Sequence, residues 1–260
     1  MKRFKEYIKP EEEFISNSHG KHARIKSKDY YKEDTVSNFE KDYLPKNENV
    51  PIMGSPGNGS THIDELHNTH PHSDKGAAAH KKFTAGSETL TKALLDREKT
   101  KEPFTKDSFD GNLASHLDNH GFTKLKHPLD TYSGVGFNIK NVTPVGKSKE
   151  GNPVYRQPTY MSSSMNKNVA ASFARTSAKN DRDGVSHIFH WHHKEGDNVG
   201  VVGNNSNYPE EQEVLVPRTD SSPEKYHIEH MSTSSYGDKW GNTVLVHHVK
   251  RIPESETIKD

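Results

Sequence analysis

The sequence contains no cysteine, no excess charge of either sign and no long apolar run. The absence of cysteine excludes disulfide scaffolds, cysteine-ligated zinc sites and thiol catalysis. The 36 basic and 36 acidic residues cancel, so the chain lacks the excess positive charge that drives nucleic-acid binding. No direct contact with nucleic acid is expected, and a local basic patch is the alternative. No run approaches the roughly 18 apolar residues of a membrane span, so no membrane contact is expected either.

Apolar residues are scarce and unevenly distributed. Leu, Ile, Val and Phe together make 47 of the 260 residues, a share below the roughly 20% at which disorder becomes a concern. The low net charge argues against a wholly disordered chain. Residues 16–80 hold few apolar residues and the Gly/Ser/Pro/Asn-rich stretch Met53–His62, which is typical of a linker. We therefore predict an N-terminal region, residues 1–80, made of a short amphipathic helix and a polar linker, and a folded domain over residues 81–260.

The apolar pattern predicts helices first and strands afterwards. Between Phe83 and Leu129 leucines recur at helical spacing, and Ser87 is the expected N-cap of the first segment. Of the 16 valines, 14 lie between Val135 and Val249, in short runs bounded by Gly, Asn and Pro, as in strands. The Ala-rich stretch Asn166–Ala178 is the clear helix of this half. This order of elements predicts an α+β fold.

The stretch from Tyr208 to Arg218 reads YPEEQEVLVPR. If residues 211–216 are extended, Glu211 and Glu213 lie on one face of the strand and Gln212 on the other. Two neighbouring carboxylates raise the pKa of one of them, which suits one group for accepting a proton and the other for stabilising a cation. An acidic loop leading into an edge strand is the alternative interpretation, because acidic pairs are common on protein surfaces.

Two further stretches precede this acidic pair. Residues 130–137 read DTYSGVGF, in which Tyr132 comes before Gly134 at a strand end where a ligand can approach the backbone closely. A plain strand and turn would give the same pattern.

Residues 159–166 read TYMSSSMN and place three consecutive serines at a strand end just before a helix. Their hydroxyls can donate hydrogen bonds to a carboxylate or to a sugar hydroxyl. Capping of the following helix by Ser164 or Asn166 is the alternative.

In this order and spacing the three stretches resemble the ADP-ribosyltransferases of the Arg-Ser-Glu class. That family carries an aromatic-Arg pair on one strand, Ser-Thr-Ser on a second, and Glu-x-Glu or Gln-x-Glu on a third. The YMSSSM stretch with the downstream VAASFA is similar to the second element, EEQEVLVPR is similar to the third, and Phe83–Asp96 is similar to a helical segment before the family's core. The resemblance covers about residues 83–252. It implies a catalytic domain at residues 81–260, built as two small packed β-sheets with N-terminal helices around an NAD cleft.

Two positions depart from the family pattern. Ser163 stands in place of the middle Thr and keeps its hydroxyl. Ser133 stands where the family has the arginine that grips the dinucleotide phosphates. Some bacteriophage members look like this Tyr-Ser-Gly version, and otherwise Arg156 or Arg175 would have to supply the charge. The change bears on the affinity for NAD more than on the reaction type.

The resemblance implies mono-ADP-ribosylation of a protein, with NAD as substrate, nicotinamide as leaving group and no metal. It assigns Glu213 to stabilising the oxocarbenium-like sugar, Ser162 to orienting Glu213, and Glu211 to positioning and deprotonating the acceptor. In this family a Glu at the first position goes with arginine acceptors. The alternative is an NAD glycohydrolase. The residues expected to bind NAD are Tyr132, Ser133, Gly134, Ser163, Ser164 and Phe173.

The 18 histidines suggest a rival, a metal-dependent hydrolase. Four of them cluster at residues 187, 190, 192 and 193, while His116 and His120 have the i, i+4 spacing with which a helix can hold zinc. No HExxH motif is present, however, and the residues around these histidines offer no obvious third ligand. An extended strand would also place alternate histidines on opposite faces. Strand histidines without a metal are therefore the favoured interpretation.

The N-terminal residues MKRFKEYIKPEEE resemble the targeting peptides of tailed-phage internal head proteins. An ordinary amphipathic helix is the alternative. The resemblance is compatible with an enzyme that is packaged in the virion and delivered with the genome into the host cytoplasm. Host transcription or translation proteins are the acceptors expected by analogy with phage relatives of the transferase family. The N-terminal resemblance also leaves a noncatalytic head protein as a third functional class.

Overall fold

The computed structural model describes residue 66 and residues 70–104, 108–135, 142–180, 185–208, 211–237 and 243–259. The N-terminal amphipathic helix and most of the linker predicted for residues 1–80 lie outside these residues, as does Phe137 of the first motif. Within the described residues no helix has the length and apolar character needed to cross a membrane.

Helices and strands follow the predicted order. The described part contains three α-helices: α1 Asp74–Thr100, α2 Phe109–His120 and α3 Lys167–Asn180. Its ten strands are β1 Thr123–Lys124, β2 Leu129–Val135, β3 Thr143–Lys147, β4 Pro153–Arg156, β5 Met161–Ser164, β6 Val185–His193, β7 Asn198–Val201, β8 Glu213–Val216, β9 Tyr226–Gly237 and β10 Thr243–Pro253. Short 3₁₀ turns occupy Gly203–Asn205, Thr219–Ser221 and Glu254–Glu256.

Helix α1 starts earlier than the leucine pattern predicted. Its N-cap is Ser73, whose hydroxyl accepts a hydrogen bond from the backbone N–H of Gly76 at 3.2 Å. The helix therefore crosses the boundary expected between residues 80 and 81. Ser87, the predicted N-cap, instead lies inside the helix, directly after a kink at Gly86 with φ −157° and ψ 35°. The prediction for Ser87 was wrong because the apolar spacing of the leucines begins only after this kink.

The ten strands form one hydrogen-bonded network in the order β1-β7-β8-β5-β2-β6-β10-β9-β4-β3. Neighbours are antiparallel except β6 and β10, which are parallel. Strands β2 and β5 are joined by the single residue pair Tyr132 and Ser164, whereas β2 and β6 pair along the whole length of β2. The network therefore divides at this joint into two halves, β1-β7-β8-β5 and β2-β6-β10-β9-β4-β3. The expected α+β fold is confirmed, and its two sheets are these halves.

Small residues on helix α3 let it pack closely on the larger half of the network. Ala171 and Ala174 are buried against Ile188 of β6 and against Val244 and Val246 of β10. Helices α1 and α2 pack on the other half, where their leucines meet Tyr160 and Leu215. Helices α1 and α3 both reach the joint between β2 and β5, and a cavity lies between them beside that joint.

Candidate active site

A cavity of about 450 Å³ lies beside the joint between β2 and β5. Its volume falls within the range of about 300–1,000 Å³ that is usual for small-molecule sites. Its lining comes from α1, α3, three strands and the loop before β8: Phe83, Thr84, Ser87, Tyr132, Gly134, Ser162, Ser163, Ser164, Val169, Ala170, Phe173, Tyr208, Glu211 and Glu213. The structure thus brings together every predicted site residue except Ser133.

Glu213 is a buried carboxylate held by a serine from the neighbouring strand. It is the first residue of β8, and its side chain is 7% exposed. The hydroxyl of Ser162 on β5 donates a hydrogen bond to Glu213 Oε1 at 2.6 Å. Burial raises the pKa of Glu213, while the hydrogen bond from Ser162 opposes that shift. A carboxylate fixed in this way can stabilise positive charge that develops beside it.

The two serines after Ser162 join β5 to the segment that carries the glutamates. The hydroxyl of Ser163 donates to the carbonyl of Val214 at 2.5 Å, and that of Ser164 donates to the carbonyl of Glu211 at 2.6 Å. Ser164 Oγ also accepts from the backbone N–H of Asn166 at 2.9 Å. The hydroxyls of Ser163 and Ser164 therefore hold the glutamate segment and the turn before α3 through hydrogen bonds to the backbone.

The two glutamates reach the same cavity without the continuous strand that was predicted. Strand β8 begins only at Glu213, and Gln212 has the left-handed φ of +50°. The backbone N–H of Glu211 donates to the carbonyl of Tyr208 at 3.0 Å, so Glu211 belongs to a turn. The expected extended conformation is wrong at residues 211 and 212. A non-glycine residue in this region costs about 1–3 kcal/mol, and such conformations concentrate at functional sites.

Strand β2 turns Tyr132 and Gly134 toward the cavity and Ser133 away from it. Ser133 is 1% exposed, and its hydroxyl accepts a hydrogen bond from the indole N–H of Trp191 at 2.9 Å. Successive side chains of a strand point to opposite faces, so a residue between two cavity-lining neighbours faces the core. This placement corrects the expectation that Ser133 binds the cofactor: its hydroxyl fixes a buried tryptophan.

Gly134 allows α3 to approach β2 closely. A Cβ atom at this position would lie 1.9 Å from the carbonyl oxygen of Ala170 and 2.6 Å from the backbone nitrogen of Ala174. The sequence interpretation assigned the close approach at Gly134 to a ligand. The structure shows that a helix makes it, and that this contact places Val169, Ala170 and Phe173 in the cavity wall.

None of the described residues that line the cavity is an arginine or a lysine. Arg156, one proposed substitute for the family's arginine, lies on β4 and pairs with Asp220 at 2.5 Å and with Glu98 at 3.1 Å. Arg175, the other, lies on α3 and is not part of the described lining. The described lining thus carries two carboxylates and no fixed cation.

Sequence reasoning missed the contributions of α1 and of Tyr208. Phe83, Thr84 and Ser87 line the cavity from α1. The signal for them was the likeness of Phe83–Asp96 to a helical segment of the family, but that likeness did not say which side chains face the site. Tyr208, which is 44% exposed, lines the cavity from the loop before β8, and no spacing rule indicated it.

No family model matches the chain, and the search of curated proteins gives no match. Among solved structures, Plx2a, an ADP-ribosyltransferase toxin from Paenibacillus larvae, is similar with a TM-score of 0.51 and 15% identity over 75% of this chain and 92% of that chain. C3larvin, an ADP-ribosyltransferase toxin from Paenibacillus larvae, has a TM-score of 0.49 and 15% identity over 79% of this chain and 100% of its own. BECa, an ADP-ribosylating toxin of C. perfringens, has a TM-score of 0.49 and 15% identity over 74% of this chain and 48% of its own. The likeness to Plx2a concerns the fold, and the chain has the α+β fold of the ADP-ribosyltransferase toxins.

Proposed function

We propose that the protein transfers ADP-ribose from NAD to a protein acceptor and releases nicotinamide, with arginine as the modified residue. The observation that carries the proposal is the buried carboxylate of Glu213, held by Ser162 at 2.6 Å in a cavity that Glu211 also lines. The fold shared with ADP-ribosyltransferase toxins supports the same reaction. By analogy with bacteriophage members of the family, the acceptor is a protein of the infected host.

The chemistry requires an anion that does not move. When the bond between nicotinamide and ribose breaks, its electron pair leaves with nicotinamide and positive charge builds on the sugar. A preorganised carboxylate in a water-poor site stabilises that charge more than one in bulk water, because it needs no reorganisation as the charge develops. Glu213 satisfies this requirement, since it is buried and one of its oxygens already has a donor.

The second glutamate fits the acceptor side of the reaction. Glu211 is half-buried, whereas Glu213 is buried. An arginine acceptor is cationic, so a lining with two carboxylates and no described cation favours its entry. The acceptor nitrogen forms a bond to the ribose carbon that nicotinamide leaves, and the proton lost from that nitrogen passes to Glu211.

Glu211→Gln is expected to separate transfer from hydrolysis. Removing a general base lowers a rate by about 10²–10⁴-fold, so transfer to agmatine, a soluble arginine analogue, should fall by at least about 10²-fold. NAD hydrolysis should stay within a few-fold of the wild-type rate, because Glu213 remains. An assay with labelled NAD measures both products. Glu195 is an exposed glutamate in the turn after β6, and Glu195→Gln is the matched control.

Two results would contradict the proposal in different ways. Transfer at the wild-type rate by Glu211→Gln would show that Glu211 does not deprotonate the acceptor. Wild-type protein that hydrolyses NAD but modifies neither agmatine nor any protein of a host lysate would show an NAD glycohydrolase instead.

The pH profile of NAD cleavage should have an acid limb that depends on Ser162. Burial raises the pKa of Glu213, and only the ionised carboxylate stabilises the sugar cation, so kcat/KM should fall as the pH drops through that raised pKa. The hydrogen bond from Ser162 lowers the pKa, so Ser162→Ala should move the limb to higher pH. Ser163→Ala is the control, because Ser163 donates to the carbonyl of Val214 and should leave the limb in place. A limb in Ser162→Ala that coincides with the wild type would show that Glu213 does not control it.

A further inference from the structure

Three histidines meet on one face of the larger half of the strand network. His190 and His192 of β6 point to the same side because they are two residues apart, and His187 and His193 point to the other. This alternation confirms the sequence prediction. The partner that the sequence did not reveal is His248 on β10, which lies directly beside His190 in the parallel register.

The nitrogens of these side chains lie at spacings that suit one metal ion. One nitrogen of each of His190, His192 and His248 lies within 4.8 Å of the others. His192 Nε2 and His248 Nδ1 are 3.2 Å apart. Two imidazole nitrogens bound tetrahedrally to zinc at 2.0–2.1 Å are separated by about 3.4 Å. Small rotations of the rings would therefore place all three around a single ion.

A carboxylate on the adjacent strand completes the group. Asp130 of β2 faces His192 in the antiparallel register, and its Oδ1 lies 3.0 Å from His192 Nδ1 and 3.6 Å from His190 Nε2. In metal sites, a carboxylate of this kind accepts the N–H of a ligating imidazole, which fixes the tautomer that leaves the other nitrogen free for the metal. With Asp130 bound to Nδ1 of His192, its Nε2 faces His248.

We propose that His190, His192 and His248 bind one divalent transition-metal ion, with zinc as the expected occupant and Asp130 as the orienting carboxylate. Three imidazoles suit zinc, nickel, copper and cobalt, whereas calcium and magnesium prefer oxygen ligands. All three histidines are half-buried, and the side chain of His192 is 36% exposed, so an ion can enter from the side of His192 and water can complete the tetrahedral shell. The ion binds with or without the proposed transferase activity.

The metal would fix the strands that support the cavity. The site joins β2, β6 and β10, and its His190 ring stacks on Tyr132 with 4.5 Å between ring centroids. Tyr132 lines the cavity from β2. Bound metal therefore holds the residues beneath one wall of the cavity, which is a structural role near the site and not a part of the bond-breaking chemistry.

The test is metal binding by the full-length, untagged, chelator-treated chain. Titration with Zn²⁺ by calorimetry should show one tight site, and Co²⁺ at the same site should give the intense visible bands of tetrahedral cobalt. His192→Ala and His248→Ala should each weaken zinc binding by at least about 100-fold, and Asp130→Asn by about 10–100-fold. Zinc should raise the melting temperature of the wild type and not that of His248→Ala.

The control addresses the other histidines of the chain. His116→Ala removes the exposed member of the histidine pair on α2, whose ring centroids are 6.4 Å apart, and should leave the tight site unchanged. His192 is more exposed than His190, so His192→Ala should fold, and circular dichroism verifies this. The proposal is wrong if the wild type has no tight zinc site, or if that site survives in both His192→Ala and His248→Ala. Loss of the site in His116→Ala would place it on α2 and would equally overturn the proposal.

Discussion

Glu213→Gln is expected to lower both ADP-ribose transfer and NAD hydrolysis by at least 10²–10³-fold, the usual effect of removing one preorganised electrostatic contact from a transition state. Glutamine keeps the size of the side chain, and its oxygen can still accept the hydrogen bond that Ser162 donates to Glu213 at 2.6 Å. What it removes is the negative charge that faces the developing sugar cation. Both reactions should fall together, because both begin with cleavage of the same bond.

The stability of this variant separates loss of chemistry from loss of fold. Burial places the folded-state pKa of Glu213 above its unfolded value, so the carboxyl favours the native state while protonated, and this contribution is lost as the pH rises through the folded pKa. Above that folded pKa the carboxylate is a buried charge, and the neutral glutamine removes its cost. The melting temperature of Glu213→Gln should equal or exceed that of the wild type, while nicotinamide release falls. Wild-type rates of nicotinamide release from Glu213→Gln would remove Glu213 from the mechanism.

Local patterns were sufficient to predict the strand segments, whereas the residues expected to line the NAD cleft came from the family resemblance. The serines at residues 162–164 and the glutamates at 211 and 213 come from segments far apart in the chain, and the structure places them on the paired strands β5 and β8 and in the turn before β8. The family resemblance predicted that these serines and glutamates lie in one site. Periodicity could not, because it describes each strand separately and says nothing about which strands become neighbours.

The errors have a common physical origin in backbone detail. The extended conformation predicted for residues 211–216 is wrong at Gln212, which has a left-handed φ. The sequence gives no sign of this conformation, because glycine or asparagine is the residue that usually adopts it. Ser133 was expected in the cleft because the family has its arginine there, but the alternation of β2 turns it toward Trp191. His248 was overlooked because only the parallel pairing of β6 and β10 brings it to His190.

Gly134→Ala is expected both to destabilise the fold and to distort the cavity. Its added methyl carbon would lie 1.9 Å from the carbonyl oxygen of Ala170 and 2.6 Å from the backbone nitrogen of Ala174. Both obstacles are backbone atoms of α3, so no side-chain rotation relieves the overlap and the helix must move away from β2. Overpacking of this kind costs about 1–3 kcal/mol and occasionally more, and a backbone clash belongs at the upper end.

A cost of about 3 kcal/mol corresponds to a fall of roughly 6–12 °C in the melting temperature of a domain of this size. The shift of α3 would also displace Phe173, which lines the cavity, so NAD affinity should fall even at temperatures where the variant is folded. Lys124→Ala, at an exposed position on β1, is the control, because it leaves the contact between α3 and β2 and the cavity lining unchanged. Calorimetric melting and an NAD-binding titration check both effects. If Gly134→Ala melts at the same temperature as Lys124→Ala and the wild type, then α3 does not depend on this contact, and the cavity wall it forms must be held by the buried alanines that face β6 and β10.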